Sequence, residues 1–170
     1  MADPTFRAKH RANPLFLRDA ELRQAMELLF FAYRDFTQEA DAILTDYGFG
    51  RAHHRVIYFV GANPGITVSE LLQILKITKQ SLSRVLGELI NDGFVHQRTD
   101  KADRRRRRLY LTAKGADLER LLTDRQSQRV AGAFRAAGAE AVEGFRTVLR
   151  GIINEEDRQR VARPARPTAV

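Results

Sequence analysis

Apolar residues recur at intervals of three and four along most of the chain, which is the spacing of one face of an α-helix. The longest such run predicts a helix from Asp19 to about residue 46, with the alternating spacing of a coiled-coil seam. The seam consists of Leu22, Met26, Leu29, Tyr33, Phe36, Ala40, Ile43 and Tyr47. This helix spans roughly 40 Å, and Leu28, Phe30 and Phe31 make it apolar on more than one side. It is therefore expected to pack against a second chain.

Two shorter helices are predicted between residues 67 and 91, separated by a tight turn. Thr67 and Glu70 have the spacing of a capping box, in which hydroxyl and carboxylate bond the free amides of a helix start. Thr78 is placed to cap the second helix. That helix has opposite apolar and polar faces. The apolar positions are Leu82, Val85, Leu86, Leu89 and Ile90, and the polar ones are Lys79, Gln80, Ser83 and Arg84.

A β-hairpin with an arginine-rich tip is predicted next, from strands at residues 94–99 and 106–111. Between Arg98 and Arg108 the sequence has seven basic and two acidic residues, a local charge of +5. Such a tip repels itself unless it has an anionic partner, and a phosphate backbone is the commonest one.

Further helices are predicted before and after the segment of residues 67–111. A short, mostly buried helix is predicted at 51–61, and a long helix follows Thr112 until Gly138 separates a last one from it. The last helix has apolar residues at helical spacing, namely Val142, Phe145, Leu149 and Ile152. Residues 1–18 are read as a basic arm, either frayed or ordered, and residues 154–170 as a disordered basic tail.

Composition limits the function classes. The chain has 170 residues, enough for one domain of ordinary size, and its net charge of +8 favours an anionic partner, either nucleic acid or membrane. There is no apolar run of transmembrane length and no signal-peptide pattern, so we expect a cytoplasmic protein without a membrane partner. The absence of cysteine excludes disulfides and thiolate chemistry.

The sequence contains no pattern typical of an enzyme, a cofactor site or a metal site. A phosphate-binding glycine loop, a Gly-x-Ser-x-Gly motif, paired carboxylates and His-x-x-x-His spacing are all absent. His53 and His54 are adjacent, so on a helix they point in different directions. We read them as buried or interface histidines in preference to metal ligands.

The segment from Thr67 to Gly115 resembles the winged helix-turn-helix of the MarR family of bacterial transcriptional regulators. The resemblance rests on Asp103-Arg104-Arg105, on the LYLTAKG sequence that ends at Gly115, and on the helix pair before them. It extends weakly from about residue 19 to residue 153. In that family the second helix enters the major groove and a wing arginine reaches the minor groove. The resemblance implies DNA-binding roles for Thr78, Lys79, Gln80, Ser81, Ser83, Arg84, Arg98, Asp103, Arg104, Arg105 and Arg106.

Within this set the resemblance makes Asp103 the brace of the wing and Arg105 its minor-groove arginine. Arg106 and Arg107 go beyond the family pattern, so the identity of the inserted arginine stays open. The fold class is mainly α with a small β-hairpin. Residues 48–112 are expected to form the winged helix-turn-helix, and residues 19–47 with 113–153 are expected to form long dimerisation helices. The residues expected at the dimer interface are Leu22, Met26, Leu29, Val142, Phe145 and Leu149.

The leading hypothesis is a homodimeric regulator of transcription, a ligand-responsive repressor that binds a pseudo-palindromic site on double-stranded DNA. The resemblance also implies a pocket for a small aromatic or anionic effector, at Phe30, Arg34, Thr37, His54 and Tyr58. Two alternatives are a winged-helix module that binds protein or RNA and a basic architectural protein indifferent to DNA sequence. The polar face of the second helix disfavours the first alternative, and its Gln80 and Arg84, which suit base edges, disfavour the second.

Overall fold

The computed structural model describes residues 15–100 and 103–161, which contain seven α-helices and three β-strands. The helices are α1 (Asp19–Thr45), α2 (Arg51–Ala62), α3 (Val68–Leu75), α4 (Lys79–Asn91), α5 (Ala113–Ala137), α6 (Ala139–Ile152) and α7 (Glu155–Val161). The strands are β1 (Ile66–Thr67), β2 (Val95–Thr99) and β3 (Arg107–Leu111). The chain divides into two compact units, residues 1–38 and residues 39–170. The predicted grouping of residues 19–47 with 113–153 stays a prediction.

The first unit consists, in its described part, of a short 3-10 turn at Leu15–Leu17 and most of helix α1. Residues 1–14 of the predicted arm lie outside the described residues. Large apolar side chains of α1 are exposed, in agreement with the sequence pattern, which makes this helix apolar on more than one side. They are Leu22, Met26, Leu28, Leu29, Phe30, Phe31 and Tyr33.

The second unit has one hydrophobic core, to which the end of α1, helices α2 to α5 and the sheet contribute. The apolar face predicted for α4 is part of it, since Leu82, Val85, Leu86 and Leu89 are buried. The end of α4 is also as expected, because Gly93 has a φ of +75° and allows the chain to turn into β2. The polar face of α4 is consequently left toward solvent.

The sheet confirms the predicted hairpin and adds a third strand. Its order is β1-β3-β2 with antiparallel pairing throughout, so that β3 lies in the middle. The additional strand β1 pairs Ile66 with Leu109 and Thr67 with Arg108. A strand of two residues is too short to show an alternating pattern in the sequence. It is a strand because it pairs with the edge of β3 that β2 leaves free.

The prediction of a disordered tail from residue 154 is wrong for Glu155–Val161, which form helix α7. The helix lacks apolar periodicity, but its acidic first turn and basic last turn both complement the helix dipole. Arg158 Nη1 lies 2.7 Å from Glu155 Oε2, and Lys76 forms ion pairs with Glu156 and Asp157. Residues 162–170 lie outside the described part of the chain.

Candidate nucleic-acid interface

Helices α3 and α4 form the helix-turn-helix, and side-chain caps define both of their starts. The Thr67 hydroxyl accepts a hydrogen bond from the Glu70 N–H at 3.2 Å, and Glu70 Oε2 accepts one from the Thr67 N–H at 2.8 Å. These bonds from Thr67 lower the pKa of the Glu70 carboxyl below its ordinary value. Between the helices Lys76 adopts a left-handed conformation with a φ of +50°, which gives the tight turn. The predicted capping box is confirmed.

Two residues assigned to DNA binding also have a structural role at the start of α4. The Thr78 hydroxyl accepts from the Ser81 N–H at 3.1 Å and donates to Ser81 Oγ at 2.9 Å. The first turn of α4 is therefore held by side chains that also lie at the protein surface. Any DNA contact by these hydroxyls would have to share them with the cap.

The outward face of α4 is polar along its whole length. Lys79, Gln80, Ser83 and Arg84 are all exposed, whereas the opposite face is buried. The Arg84 guanidinium lies 3.2 Å from the carboxylate of Glu88, one turn further on. The face thus presents an ammonium, an amide, a hydroxyl and a guanidinium, which are the groups that bind base edges and phosphates.

The wing is the turn between β2 and β3, and Asp103 braces its described part. Asp103 Oδ1 accepts a hydrogen bond from the Arg105 N–H at 3.0 Å, and the Asp103 carbonyl accepts one from the Arg106 N–H at 2.9 Å. Asp103 Oδ2 also lies 3.6 Å from Arg106 Nε. Because the carboxylate binds the backbone of Arg105, it orients the wing without engaging the guanidinium of that arginine in this contact. Arg104, Arg105 and Arg106 are exposed.

Sequence reasoning missed a second acidic brace at the base of the wing. The side chain of Asp100 is only 8% exposed, and its Oδ2 accepts from Arg108 Nε at 2.8 Å and Nη2 at 2.6 Å. Arg108 Nη1 also donates to the Gly65 carbonyl at 3.1 Å. Arg108 therefore ties β3 to the loop before β1, so this arginine of the run is structural. The pairing spans eight residues across a hairpin, and its signal would have been an aspartate at the strand end.

Arg98 lies on the outer face of the hairpin beside an aromatic pair. Its guanidinium is 5.2 Å from the centre of the Tyr110 ring, and that ring stacks on His96 at 5.5 Å. This cation–π contact restrains the Arg98 side chain and leaves its charge accessible. Arg98 is exposed, and its DNA-binding role stays a prediction.

The residues assigned to an effector are distributed over both units. Phe30, Arg34 and Thr37 lie on α1, and His54 and Tyr58 lie on α2. Arg34 is paired with Asp35 at 2.8 Å. Burial lowers the pKa of His54, against the opposing effect of Asp41, so this histidine is not expected to provide a cation at neutral pH. The assignment stays a prediction.

A half-open cavity lies elsewhere in the second unit. Its volume is 460 Å³, and its lining residues are Tyr47, Phe94, Lys114, Asp117, Leu118 and Leu121. None of the residues assigned to an effector lines it. Lys114 Nζ lies 4.1 Å from the centre of the Phe94 ring and donates to the Asp92 carbonyl at 3.0 Å, so this cation is already engaged.

His53 is buried, as the sequence reading expected. Its Nδ1 accepts a hydrogen bond from the Gly50 N–H at 3.1 Å, and its Nε2 lies 2.6 Å from Glu88 Oε2. Among the described residues, His, Cys, Asp and Glu form no group of three or more that could hold a metal ion. His10 lies outside that part of the chain.

The residues assigned to dimerisation form partly exposed apolar surfaces. Leu22, Met26 and Leu29 are exposed on α1, and on α6 Val142 and Leu149 are half-buried. Phe145 is 48% exposed, although its ring packs edge-on against Phe134 at 5.8 Å. Two neighbours on α6 that were not assigned, Val148 and Ile152, are more exposed still.

Comparison with known proteins identifies the family. The MarR family model matches residues 47–106. The HTH-type transcriptional regulator PetP of Rhodobacter capsulatus is 51% identical over 140 residues, which cover 82% of this chain and 84% of PetP.

Solved structures show the same fold. Streptococcus pneumoniae FabT in complex with DNA matches with a TM-score of 0.69 and 19% identity, over 77% of this chain and 94% of FabT. The crystal structure of MarR matches with a TM-score of 0.58 and 23% identity, over 81% of this chain and 98% of MarR. In the described part of the chain, no helix combines the length and the apolar character needed to cross a membrane. From its identity to PetP and its winged-helix fold, this chain belongs to the MarR family and is a DNA-binding transcriptional regulator, not an enzyme.

Proposed function

We propose that the protein is a homodimeric, effector-responsive repressor that reads a pseudo-palindromic operator through α4 and its wing. The observation that carries this proposal is the exposed polar face of α4 beside a braced wing with three exposed arginines. A polar helix face suits base edges in the major groove, and an arginine on a narrow wing suits the minor groove. A protein-binding wing module would need apolar residues on the same face of α4.

A dimer is part of the proposal because one helix in the groove reads only a few base pairs. Two copies address half-sites one helical turn apart, about 34 Å. The exposed apolar residues of α1 and those of α6 support this assembly, since each would otherwise leave large side chains in water.

Regulation would follow if a small molecule bound preferentially to one separation of the two α4 helices. Such a ligand shifts the equilibrium only by its difference in affinity between the DNA-compatible and DNA-incompatible arrangements. Of the residues assigned to the effector, Arg34 is the permanent cation, which favours an aromatic carboxylate or phenolate. Sequencing the fragments that the purified protein retains from its own genome would give the operator, and the genes beside it would suggest the ligand.

If α4 reads bases, replacing Gln80 or Arg84 with alanine should reduce the discrimination between operator and random DNA. Each variant should lose roughly 1–3 kcal/mol on the operator, because a paired contact to a base edge is removed. Binding to random DNA of equal length should hardly change. Fluorescence anisotropy titrations on the two DNAs measure the difference, with Arg120→Ala on α5 as a control that removes the same charge. Equal losses on both DNAs would show that α4 does not read bases.

The wing brace predicts weaker binding for Asp103→Ala, although this change makes the protein more positive. The physical reason is that Asp103 holds the Arg105 backbone, so its loss frees the wing before it meets DNA. If only net charge mattered, Asp103→Ala would instead bind DNA more tightly. Arg105→Ala should flatten the slope of log affinity against log salt by about one unit.

The measurement is an operator titration at several salt concentrations, with Asp117→Ala on α5 as a variant of equal charge change. If Asp103→Ala bound more tightly than the wild type, the wing would act only through its charge and the role assigned to Asp103 would be lost.

A further inference from the structure

Three side chains connect helix α2 to the outward face of α4. The Gly50 N–H donates to His53 Nδ1 at 3.1 Å, and His53 Nε2 lies 2.6 Å from Glu88 Oε2. The other oxygen of that carboxylate, Oε1, accepts from Arg84 Nη1 at 3.2 Å. A single carboxylate therefore joins a buried histidine to an exposed arginine on the polar face of α4.

His53 is well suited to anchor this chain of contacts. It is 7% exposed, and its ring stacks on Phe49 at 4.6 Å with an interplanar angle of 10°. Phe49 itself packs edge-on against Phe94 at 5.1 Å. Because Nδ1 accepts from a backbone N–H, the proton of the neutral ring must lie on Nε2, which then donates to Glu88. Both ring nitrogens thus have a defined role and the ring has a fixed orientation.

Glu88 can serve both neighbours only as a carboxylate. The hydrogen bond from His53, and to a smaller extent the charge of Arg84, lower its pKa below the ordinary value, so it is ionised at neutral pH. An exposed Arg–Glu pair one turn apart is weak by itself, because both side chains keep their rotamer freedom. Here His53 removes that freedom from Glu88, and the carboxylate offers Arg84 a fixed acceptor.

We propose that His53 and Glu88 are positioning residues for DNA reading, which hold the Arg84 guanidinium in one orientation on α4. Helical side chains lean by default toward the N-terminus, whereas this contact draws Arg84 toward the C-terminal end of the helix. A pre-oriented guanidinium loses less rotamer entropy on meeting a base edge, and its remaining N–H groups keep one direction. This inference rests on base reading by Arg84, as proposed above.

Glu88→Gln is the first test, because it keeps the size and exposed position of the side chain. His53 and Arg84 bind different oxygens of the carboxylate, and the amide replaces one of these oxygens with a donor nitrogen, so one of the two neighbours loses its acceptor. The ratio of operator to random-DNA affinity should fall roughly three- to tenfold, part of the value of one base contact. Affinity for random DNA should stay equal or rise, since a negative charge is removed from the DNA-facing helix.

His53→Phe is the second test, because it keeps a ring against Phe49 and removes the donor without changing a charge near the DNA. The same fall in the affinity ratio is expected, and thermal unfolding confirms that the variant is folded. Asp117→Asn serves as the control for Glu88→Gln, since it changes the charge equally on α5. It should leave the ratio unchanged.

The decisive comparison repeats Glu88→Gln in an Arg84→Ala background, where its effect on the affinity ratio should vanish. An undiminished effect there, or equal losses on both DNAs for Glu88→Gln alone, would overturn the inference. If Arg84→Ala lowers the ratio but Glu88→Gln and His53→Phe do not, the positioning role alone is refuted. If Arg84→Ala leaves the ratio unchanged, base reading by this arginine and the positioning role are both refuted.

Discussion

Replacing Phe145 with aspartate is expected to convert the proposed dimer into monomers and to abolish measurable operator binding. Phe145 is 48% exposed in the single chain and lies on the α6 face that also carries Val148 and Ile152. Because about half of each ring remains to be buried, the two Phe145 rings of a dimer would together contribute about 1.5–3 kcal/mol, and an unpaired carboxylate in place of each ring adds a desolvation cost. A loss of about 3 kcal/mol raises the dimer dissociation constant roughly a hundredfold. A monomer contacts one half-site, so its operator affinity falls further.

Sedimentation at micromolar concentration measures the assembly, and an operator titration measures the consequence. Thr147→Asp is the matched control, because it introduces the same side chain at an exposed position about 160° from Phe145 around α6. This control should remain dimeric. A wild-type protein that sediments as a monomer would refute the proposed assembly directly, and a dimeric, operator-binding Phe145→Asp variant would exclude α6 from the interface.

Replacing Gly115 with alanine is expected to destabilise the fold by about 3 kcal/mol or more, since the added carbon has no room. A Cβ atom at this position would lie 2.0 Å from the Phe94 carbonyl oxygen and 2.9 Å from its carbon. The surroundings cannot yield easily, because the Phe94 carbonyl accepts a hydrogen bond from the Thr112 N–H at 3.0 Å. For a chain of this size the melting temperature should fall by roughly 6–12 °C.

Gly87→Ala is the control for this substitution. Gly87 lies within α4 and nothing is within 4 Å of a Cβ built there, so alanine should stabilise the helix by about 0.5–1 kcal/mol. Thermal unfolding of both variants gives the comparison. A Gly115→Ala variant that melts within about two degrees of the wild type would show that the connection between β2 and α5 can shift to admit a methyl group.

Local signals in the sequence were sufficient to predict helices α1 to α6, their caps and the exposed face of α4. The Thr67–Glu70 box, the Thr78 cap and the left-handed Gly93 each depend on residues within four positions of one another. Such contacts repeat with the helical period or occupy a helix end, so the pattern of side chains reveals them. The wing hairpin was visible for the same reason, since its two strands are neighbours in sequence.

Contacts between distant segments could not be predicted in this way. His53 and Glu88 are 35 residues apart, and Gly65 and Arg108 are 43 apart. Neither contact follows a helix or strand repeat in the sequence. The residues also suit other roles, because Glu88 could be a solvated glutamate and Arg108 a DNA-binding arginine. For this reason Arg108 was read together with the other wing arginines, although the structure uses it to tie the sheet. Helix α7 was missed because charges and a distant lysine, not apolar spacing, support it.

The sequence by itself thus determined which residues this regulator presents: a polar helix face, a run of wing arginines and apolar helices that exceed what one chain buries. These features can be read from nearby residues, because the geometry of a helix or strand determines which side chains of a segment share a face. Only the tertiary structure decided which residues are engaged in contacts within the chain and are therefore structural. Asp100 binds Arg108, His53 binds Glu88, and Gly115 admits the Phe94 carbonyl. Such contacts depend on distances across the core, because a hydrogen bond or a close approach exists only where packing brings two remote segments together.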